Sequence, residues 1–256
     1  MSVVAIIPAR LKSNRFPNKL LTKFLGKYII DHVIENTLKL DFVNDVVVAT
    51  DSFDITTHVR KKYQQIEVVH IHSACCGTHR VYKYYTLNNS YDFYLSIPCD
   101  EPVINPDEIN NYVRKNRLMD SYITTFYTKF YNKNDLESPL SCKIVTDDHG
   151  FMLYNSRAIV PVQKDGTTLP LEEYKKHVGI FIFPNWVLQR FGQEFWSQSK
   201  DLESLEQNRF LQFNISIMTK EIKHIGFGID VPSQIKQLET RMIDNETFNN
   251  RTINNN

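Results

Sequence analysis

Four cations, Arg10, Lys12, Arg15 and Lys19, fall within ten residues, interleaved with Ser13 and Pro17 and introduced by Pro8. Such residues at this density suit a polyanion, because Arg grips phosphate oxygens in a planar fork while Lys supplies a compact point charge. A nucleoside triphosphate is the simplest ligand of that description. Further along, Thr50-Asp51 and Asp100-Glu101-Pro102 place carboxylates after apolar runs. Cations and carboxylates meeting at one sheet edge are what a metal–triphosphate complex requires. His70-x-His72 lacks partners at metal-ligand spacing, so no zinc site is read there. Cys99, beside Asp100, reads as pocket lining and not as a nucleophile.

The elements that must position these groups are legible in outline. Val3-Val4-Ala5-Ile6-Ile7 is a buried strand that empties into the basic loop. Helical spacing over 29–38 and a second apolar run over 46–50 predict a βαβ unit and a parallel sheet. Strands over 66–69 and 93–97 follow, with helices over 54–63, 81–87 and 105–115. In an open α/β sheet, ligands sit beyond the carboxyl ends of the strands. The basic loop, Asp51 and Asp100 all fall there. The second half is richer in strands, at 123–127, 141–146, 151–154 and 177–183, with a hairpin turn at Asp147-Asp148-His149-Gly150. Helices are expected over 201–213 and, after Ile229-Asp230-Val231-Pro232, through about Arg241. The reading is one domain over 1–245 and a polar, disordered tail over 246–256.

Composition sets limits. With 256 residues and 42% hydrophobic content, the chain can bury a sizeable core. A net charge of +1 excludes a general nucleic-acid binder, since the positive charge is local. No run approaches the roughly 18–20 apolar residues of a membrane span, and no signal peptide is read at the N-terminus. The four cysteines contain no C-x-x-C pair and read as free thiols of a cytoplasmic protein.

The motif Pro8-Ala9-Arg10-x-x-Ser13-x-Arg15-x-Pro17-x-Lys19 resembles the nucleotide-binding signature of the CMP-Kdo synthetase (3-deoxy-manno-octulosonate cytidylyltransferase) family. The likeness continues in order through Ala49-Thr50-Asp51, Gly77-Thr78-x-Arg80, Asp100-Glu101-Pro102 and Leu153-Tyr154-x-Ser156-Arg157. It ends with His177-x-Gly179-Ile180, Leu205-Glu206-Gln207-x-Arg209 and Asp230-x-Pro232. The resemblance implies an α/β, Rossmann-like nucleotidyltransferase fold with a mainly parallel central sheet and a smaller β-rich subregion in the second half. It also implies a homodimer that uses CTP, Mg²⁺ and an acidic keto-sugar, with no nucleic acid and no membrane. The anomeric hydroxyl attacks the α-phosphorus of CTP, giving CMP-sugar and pyrophosphate.

Carried onto this chain, Pro8, Ala9, Arg10, Ser13, Arg15, Lys19, Thr78 and Arg80 are expected to bind the nucleotide. Ser13 either donates to a phosphate oxygen or caps the loop. Arg10, Lys19 and Asp100 are the expected catalytic groups, and Asp100 and Asp230 the expected metal ligands. Tyr154, Arg157, His177, Glu206 and Gln207 are candidates for the sugar, with a structural role as the alternative for His177 and a solvated helix face for Glu206 and Gln207. The chain departs from the family pattern at Cys76, His79, Pro98 and Cys99. Two other readings follow from those departures: an enzyme for a different acid sugar, and a catalytically weak relative that binds a nucleotide or a partner.

Overall fold

Strand β1 (Val3–Ala9) is buried along almost its whole length. Its apolar run is continuous, so both faces pack: Val3, Ala5 and Ile7 enter one core, Val4 and Ile6 the other. The computed structural model describes residues 1–10, 15–198, 200, 202–224 and 226–253, with 193, 194, 197 and 244–253 as backbone alone. After the basic loop comes a small hairpin of β2 (Lys23–Phe24) and β3 (Lys27–Tyr28), then helix α1 (Ile29–Thr37). Strand β4 (Asp45–Thr50) returns parallel to β1 and completes the βαβ unit. Helix α2 (Phe53–Lys62) is capped by the Ser52 hydroxyl, which accepts from the Ile55 N–H at 3.3 Å. Strand β5 (Glu67–His70) extends the parallel sheet beyond β4. Helix α3 (Gly77–Leu87) leads to β6 (Phe93–Ser96), which pairs with the other side of β1. Helix α4 (Pro106–Asn116) has an Asn105 cap, Pro106 in its first turn, acids at its start and Arg114 and Lys115 at its end, all in keeping with the helix dipole.

The second half adds β7 (Ile123–Lys129), the short helix α5 (Lys133–Glu137), the hairpin β8 (Lys143–Thr146) and β9 (Met152–Ser156), and β10 (Lys175–Pro184). Helices α6 (Asn185–Arg190), α7 (Gln193–Gln198) and α8 (Gln207–Gln212) precede β11 (Ile217–Glu221) and the final helix α9 (Ser233–Ile253). The main sheet runs β11-β7-β10-β6-β1-β4-β5. Along this path only β10 opposes β1, running antiparallel between β6 and β7. The β8–β9 hairpin hangs on β10 and forms the β-rich subregion. Helices α1, α2, α4 and α9 cover one face of the sheet, through side chains such as Val33, Val59, Ile109 and Leu238. Helices α3, α6 and α8 cover the other, through Val81, Leu188 and Phe210. The result is an α/β fold with a mainly parallel central sheet.

Several elements differ from the sequence reading. Helix α3 begins at Gly77, ahead of Val81, because its first N–H groups find a distant partner described below. The helix expected over 201–213 is reduced to α8, since Glu203 and Ser204 take left-handed conformations (φ 56° and 53°) that end any continuous helix. Helices α6 and α7 were not anticipated. Helix α9 continues past Arg241 to Ile253, because no Gly or Pro occurs between 233 and 253 to stop it. Residues 246–253 are therefore helical where a disordered tail was expected, and 254–256 lie outside the described residues. No described helix is long and apolar enough to cross a membrane.

Candidate active site

Lys19 opens a short 3-10 turn, Lys19–Leu21, beyond the basic loop. Its Nζ donates to Asp100 Oδ2 at 2.6 Å and lies 3.7 Å from Asp230 Oδ1. Arg15 Nη2 reaches the same Asp230 oxygen at 2.8 Å. Three segments from distant parts of the chain thus meet: the loop after β1, the loop after β6 and the loop between β11 and α9. The Lys19 side chain is only 10% exposed, whereas those of Asp100 and Asp230 are 29% and 27% exposed. Burial works against the Lys19 ammonium, but the charge and hydrogen bond of Asp100, with the charge of Asp230, outweigh it and hold its pKa above the ordinary lysine value. Cys99, next to Asp100 in sequence, is half-buried. Burial and Asp100 push its thiol up to about 12 against the opposing charges of Lys19 and Arg10, so it is a neutral wall and not a nucleophile. Arg10 itself is exposed at the end of β1.

The Asp230 loop is docked onto the Asp100 loop. The Ile229 N–H donates to the Asp100 carbonyl at 2.9 Å. Gln234 Oε1 accepts from the N–H groups of Asp230 and Val231 at 2.6 and 2.9 Å, fixing the entry to α9. At Gly226 a Cβ would stand 2.3 Å from Val103 Cγ2, so only glycine lets the two loops approach this closely. Glu101 turns away from its neighbour Asp100, and its Oε2 lies 3.2 Å from His224 Nε2. A cavity of about 750 Å³ opens beside Asp100 and Asp230, walled in part by Cys142, Lys176, His177 and Gly179.

The other expected residues are distributed unevenly around this centre. Pro8 and Ala9 belong to β1, opposite Ala49 and Thr50, and the Pro8 ring lies against Gly77. Ser13 lies outside the described residues. Thr78 is buried, and its N–H and that of Gly77 donate to the two Glu206 carboxylate oxygens at 2.7 and 2.8 Å. Glu206 therefore caps α3 and is not a solvated residue. Arg80 is buried too, donating to the Ile71 carbonyl at 2.6 Å and pairing with Asp51 at 3.2 Å, so its guanidinium ties α3 to the ends of β4 and β5.

His177 lies beside a bulge in β10, where the pairing with β7 shifts between Val178 and Phe181. The Thr125 hydroxyl donates to the Ile180 carbonyl at 2.7 Å, so it accepts from His177 Nε2 at 2.9 Å. Nδ1 then accepts from the Gln207 amide at 3.4 Å. Burial lowers the His177 pKa to about 4, so the ring is neutral at pH 7. His177 thus walls the cavity while both its ring nitrogens are held by protein partners. Tyr154 and Arg157 converge on Glu203. The Tyr154 hydroxyl donates to Glu203 Oε1 at 2.9 Å, and Arg157 Nε donates to the Glu203 carbonyl at 2.8 Å. Lys143 is fully buried, donating to the carbonyls of Ser138, Ser141 and Arg157 at 2.8–2.9 Å, and so serves the hairpin base.

Comparison with known proteins gives this arrangement a family. Residues 4–222 match the family model described as "Cytidylyltransferase". The 3-deoxy-manno-octulosonate cytidylyltransferase of Geotalea daltonii is 32% identical over 253 residues, covering 95% of this chain and 99% of that protein. The mitochondrial 3-deoxy-manno-octulosonate cytidylyltransferase of Arabidopsis thaliana is 30% identical over 242 residues, covering 94% of this chain and 83% of its own length. A solved CMP:2-keto-3-deoxy-manno-octonic acid synthetase complexed with CTP superposes with a TM-score of 0.79 at 28% identity, covering 96% of this chain and all of that one. The chain belongs to the cytidylyltransferase family. It is a nucleotidyltransferase.

In this cytidylyltransferase the donor set at the centre suits Mg²⁺. Two partly exposed carboxylates present oxygens only, and Mg²⁺ is commonly bound by one or two carboxylates while water and substrate phosphate complete its shell. No group of three or more His, Cys, Asp or Glu that could hold a metal ion occurs among the described residues. A closed protein cage of that kind is therefore not part of the fit. Sequence reasoning missed Glu203, Gln234 and His224, all of which hold other site residues or loops in place. Glu203 and His224 belong to no local pattern, because each acts on a residue brought near only by the fold, whereas Gln234 accepts from N–H groups three and four residues before it, a capping signal that the sequence did contain.

Proposed function

We propose that this cytidylyltransferase couples CTP to 3-deoxy-manno-octulosonate or a close acidic keto-sugar, releasing pyrophosphate. The observation that carries the reading is the meeting of Arg15 and Lys19 with Asp100 and Asp230 at the carboxyl edge of the sheet. Arg10, Arg15 and Lys19 supply positive charge where a triphosphate would lie, and fixed cations aimed at a departing pyrophosphate lower the barrier by stabilising its developing charge. The sugar enters the adjoining cavity, and its anomeric hydroxyl attacks the α-phosphorus in line. The new P–O bond forms as the α–β bridging P–O bond breaks. Asp100 and Asp230 would hold Mg²⁺, which when bound would supply charge neutralisation at the phosphates. The neutral thiol of Cys99 leaves the attack to the sugar itself.

The test is pyrophosphate release by purified protein with CTP, Mg²⁺ and 3-deoxy-manno-octulosonate, with UTP, ATP and GTP as competitors and a panel of related sugar acids. Release is expected only when CTP and an acidic keto-sugar are both present, and Asp100→Asn is expected to lower turnover by about 10²–10³-fold. Silence across the panel would reject the reading. The proposal includes a homodimer, checked by sedimentation equilibrium. It also includes a cytoplasmic location, which four free cysteines favour and cell fractionation would check.

A further inference from the structure

Arg241, on α9, reaches back to the loop that carries Asp230. Its guanidinium carbon lies 4.6 Å from the centroid of the Phe227 ring and 4.3 Å from that of the Tyr131 ring. Phe227 belongs to the loop between β11 and α9, and Tyr131 to the loop between β7 and α5. A planar guanidinium stacks on aromatic faces, and its attraction to a ring strengthens where water is excluded. The Arg241 side chain is only 12% exposed, so the contact is largely dry. Its charge is answered by Asp135, on α5, whose Oδ2 lies 3.8 Å from Nη1. The same carboxylate accepts from Lys176 Nζ at 3.0 Å and from the Ser141 hydroxyl at 2.9 Å. Lys176 Nζ in turn lies over the Phe227 ring, 5.5 Å from its centroid. The Phe227 ring is therefore met by two cations that share one carboxylate. All of these side chains wall the cavity that opens beside Asp100 and Asp230.

This grip bears on the carboxylate centre through the backbone. Phe227 is the one side chain between Gly226 and Gly228. Gly228 passes close to Asp100, whose Cγ would stand 3.7 Å from a Cβ there, and the Ile229 N–H donates to the Asp100 carbonyl at 2.9 Å. Glycines on both sides leave such a segment many backbone conformations, so the Phe227 ring is what the surrounding elements can hold. We propose that Arg241, with Phe227 as its ring partner, is a positioning residue that keeps the Asp230 loop docked on the Asp100 loop. It acts through Phe227 and the Ile229–Asp100 hydrogen bond, and so sets the placement of the two carboxylates that would hold Mg²⁺. The step to the metal rests on the function proposed above; the docking of the two loops does not.

The test is hydrogen–deuterium exchange at the Ile229 amide of the full chain without substrate or metal, read by NMR, with the amides of β1 as the reference for global opening. Arg241→Met keeps a long side chain and removes the charged plane. It is expected to speed Ile229 exchange at least about tenfold while β1 keeps its wild-type rates. In turnover with CTP and the sugar, the same variant is expected to need about tenfold more Mg²⁺ for half-maximal rate, with the KM for the sugar unchanged. Should Arg241→Met fold poorly, Tyr131→Leu removes one ring of the contact at a residue that is 51% exposed, and it is expected to speed Ile229 exchange about threefold. Ile229 exchange at the wild-type rate in either folded variant overturns the proposal. So does an unchanged Mg²⁺ requirement in an Arg241→Met enzyme that turns over. A wild-type chain that releases no pyrophosphate rejects the proposed function instead, and the exchange rates still decide the docking.

Discussion

Lys19 stands between two carboxylates, 2.6 Å from Asp100 and 3.7 Å from Asp230, with little exposure of its own. Replacing it by Met removes the positive charge and leaves like charges facing each other. The Lys19→Met protein is expected to lose about 1–3 kcal/mol of stability, the usual worth of a hydrogen bond to a charged group. Added MgCl₂ is expected to raise its melting temperature more than it raises that of the wild type, because a divalent cation at Asp100 and Asp230 relieves the same repulsion. Thermal unfolding of both proteins with and without MgCl₂ checks this, and an equal response in both would remove Lys19 from the charge balance. Turnover should fall as well, since the variant lacks a cation expected to face the triphosphate.

At the scale of elements, the start of α3 depends on a residue far along the chain. The Glu206 carboxylate takes the N–H groups of Gly77 and Thr78, a role usually filled by a side chain next to the helix. Glu206→Ala is expected to cost about 1–2 kcal/mol, as loss of a helix cap does, measured by urea unfolding. Glu206→Gln should keep part of that stability, because its amide oxygen still accepts one bond. The junction of the two carboxylate loops is a second such element. Gly226→Ala would drive a methyl group into Val103, and overpacking of this kind costs about 1–3 kcal/mol. The same shift would displace Asp230 from Asp100 and lower kcat. Val103→Ala opens space for the methyl group, so the double variant is expected to recover stability and turnover relative to Gly226→Ala alone. A double variant no better than the single one would show that the loops are not coupled through this contact.

At the scale of the whole molecule, two half-buried histidines set an acid limit on stability. Burial is the first cause that lowers both His177 and His79, each from 6.5 to about 4. Between those values the unfolded chain binds protons that the folded chain refuses, so stability rises with pH through the window. The contribution is complete above about pH 6.5 and is lost as pH falls toward 4. Melting temperature should therefore drop between pH 6.5 and 4.5, and His177→Gln, which retains an amide for Thr125 and Gln207, should flatten that slope. An unchanged slope would place the titration elsewhere. The sequence by itself determined the parallel βαβ core, the basic loop after β1 and the polar segment at Asp100, because apolar period, proline punctuation and charge clustering are local signals. It also carried the ordered motifs of the family. Only the tertiary structure decided that Lys19 and Arg15 meet Asp100 and Asp230, that Glu206 serves α3, that Tyr154 and Arg157 converge on Glu203 and that β10 runs against its neighbours. The reason is distance along the chain. Arg15 and Asp230 are 215 residues apart and Gly77 and Glu206 are 129 apart, so no window of sequence contains either pair, and packing of the sheet and its two helical layers brings them together.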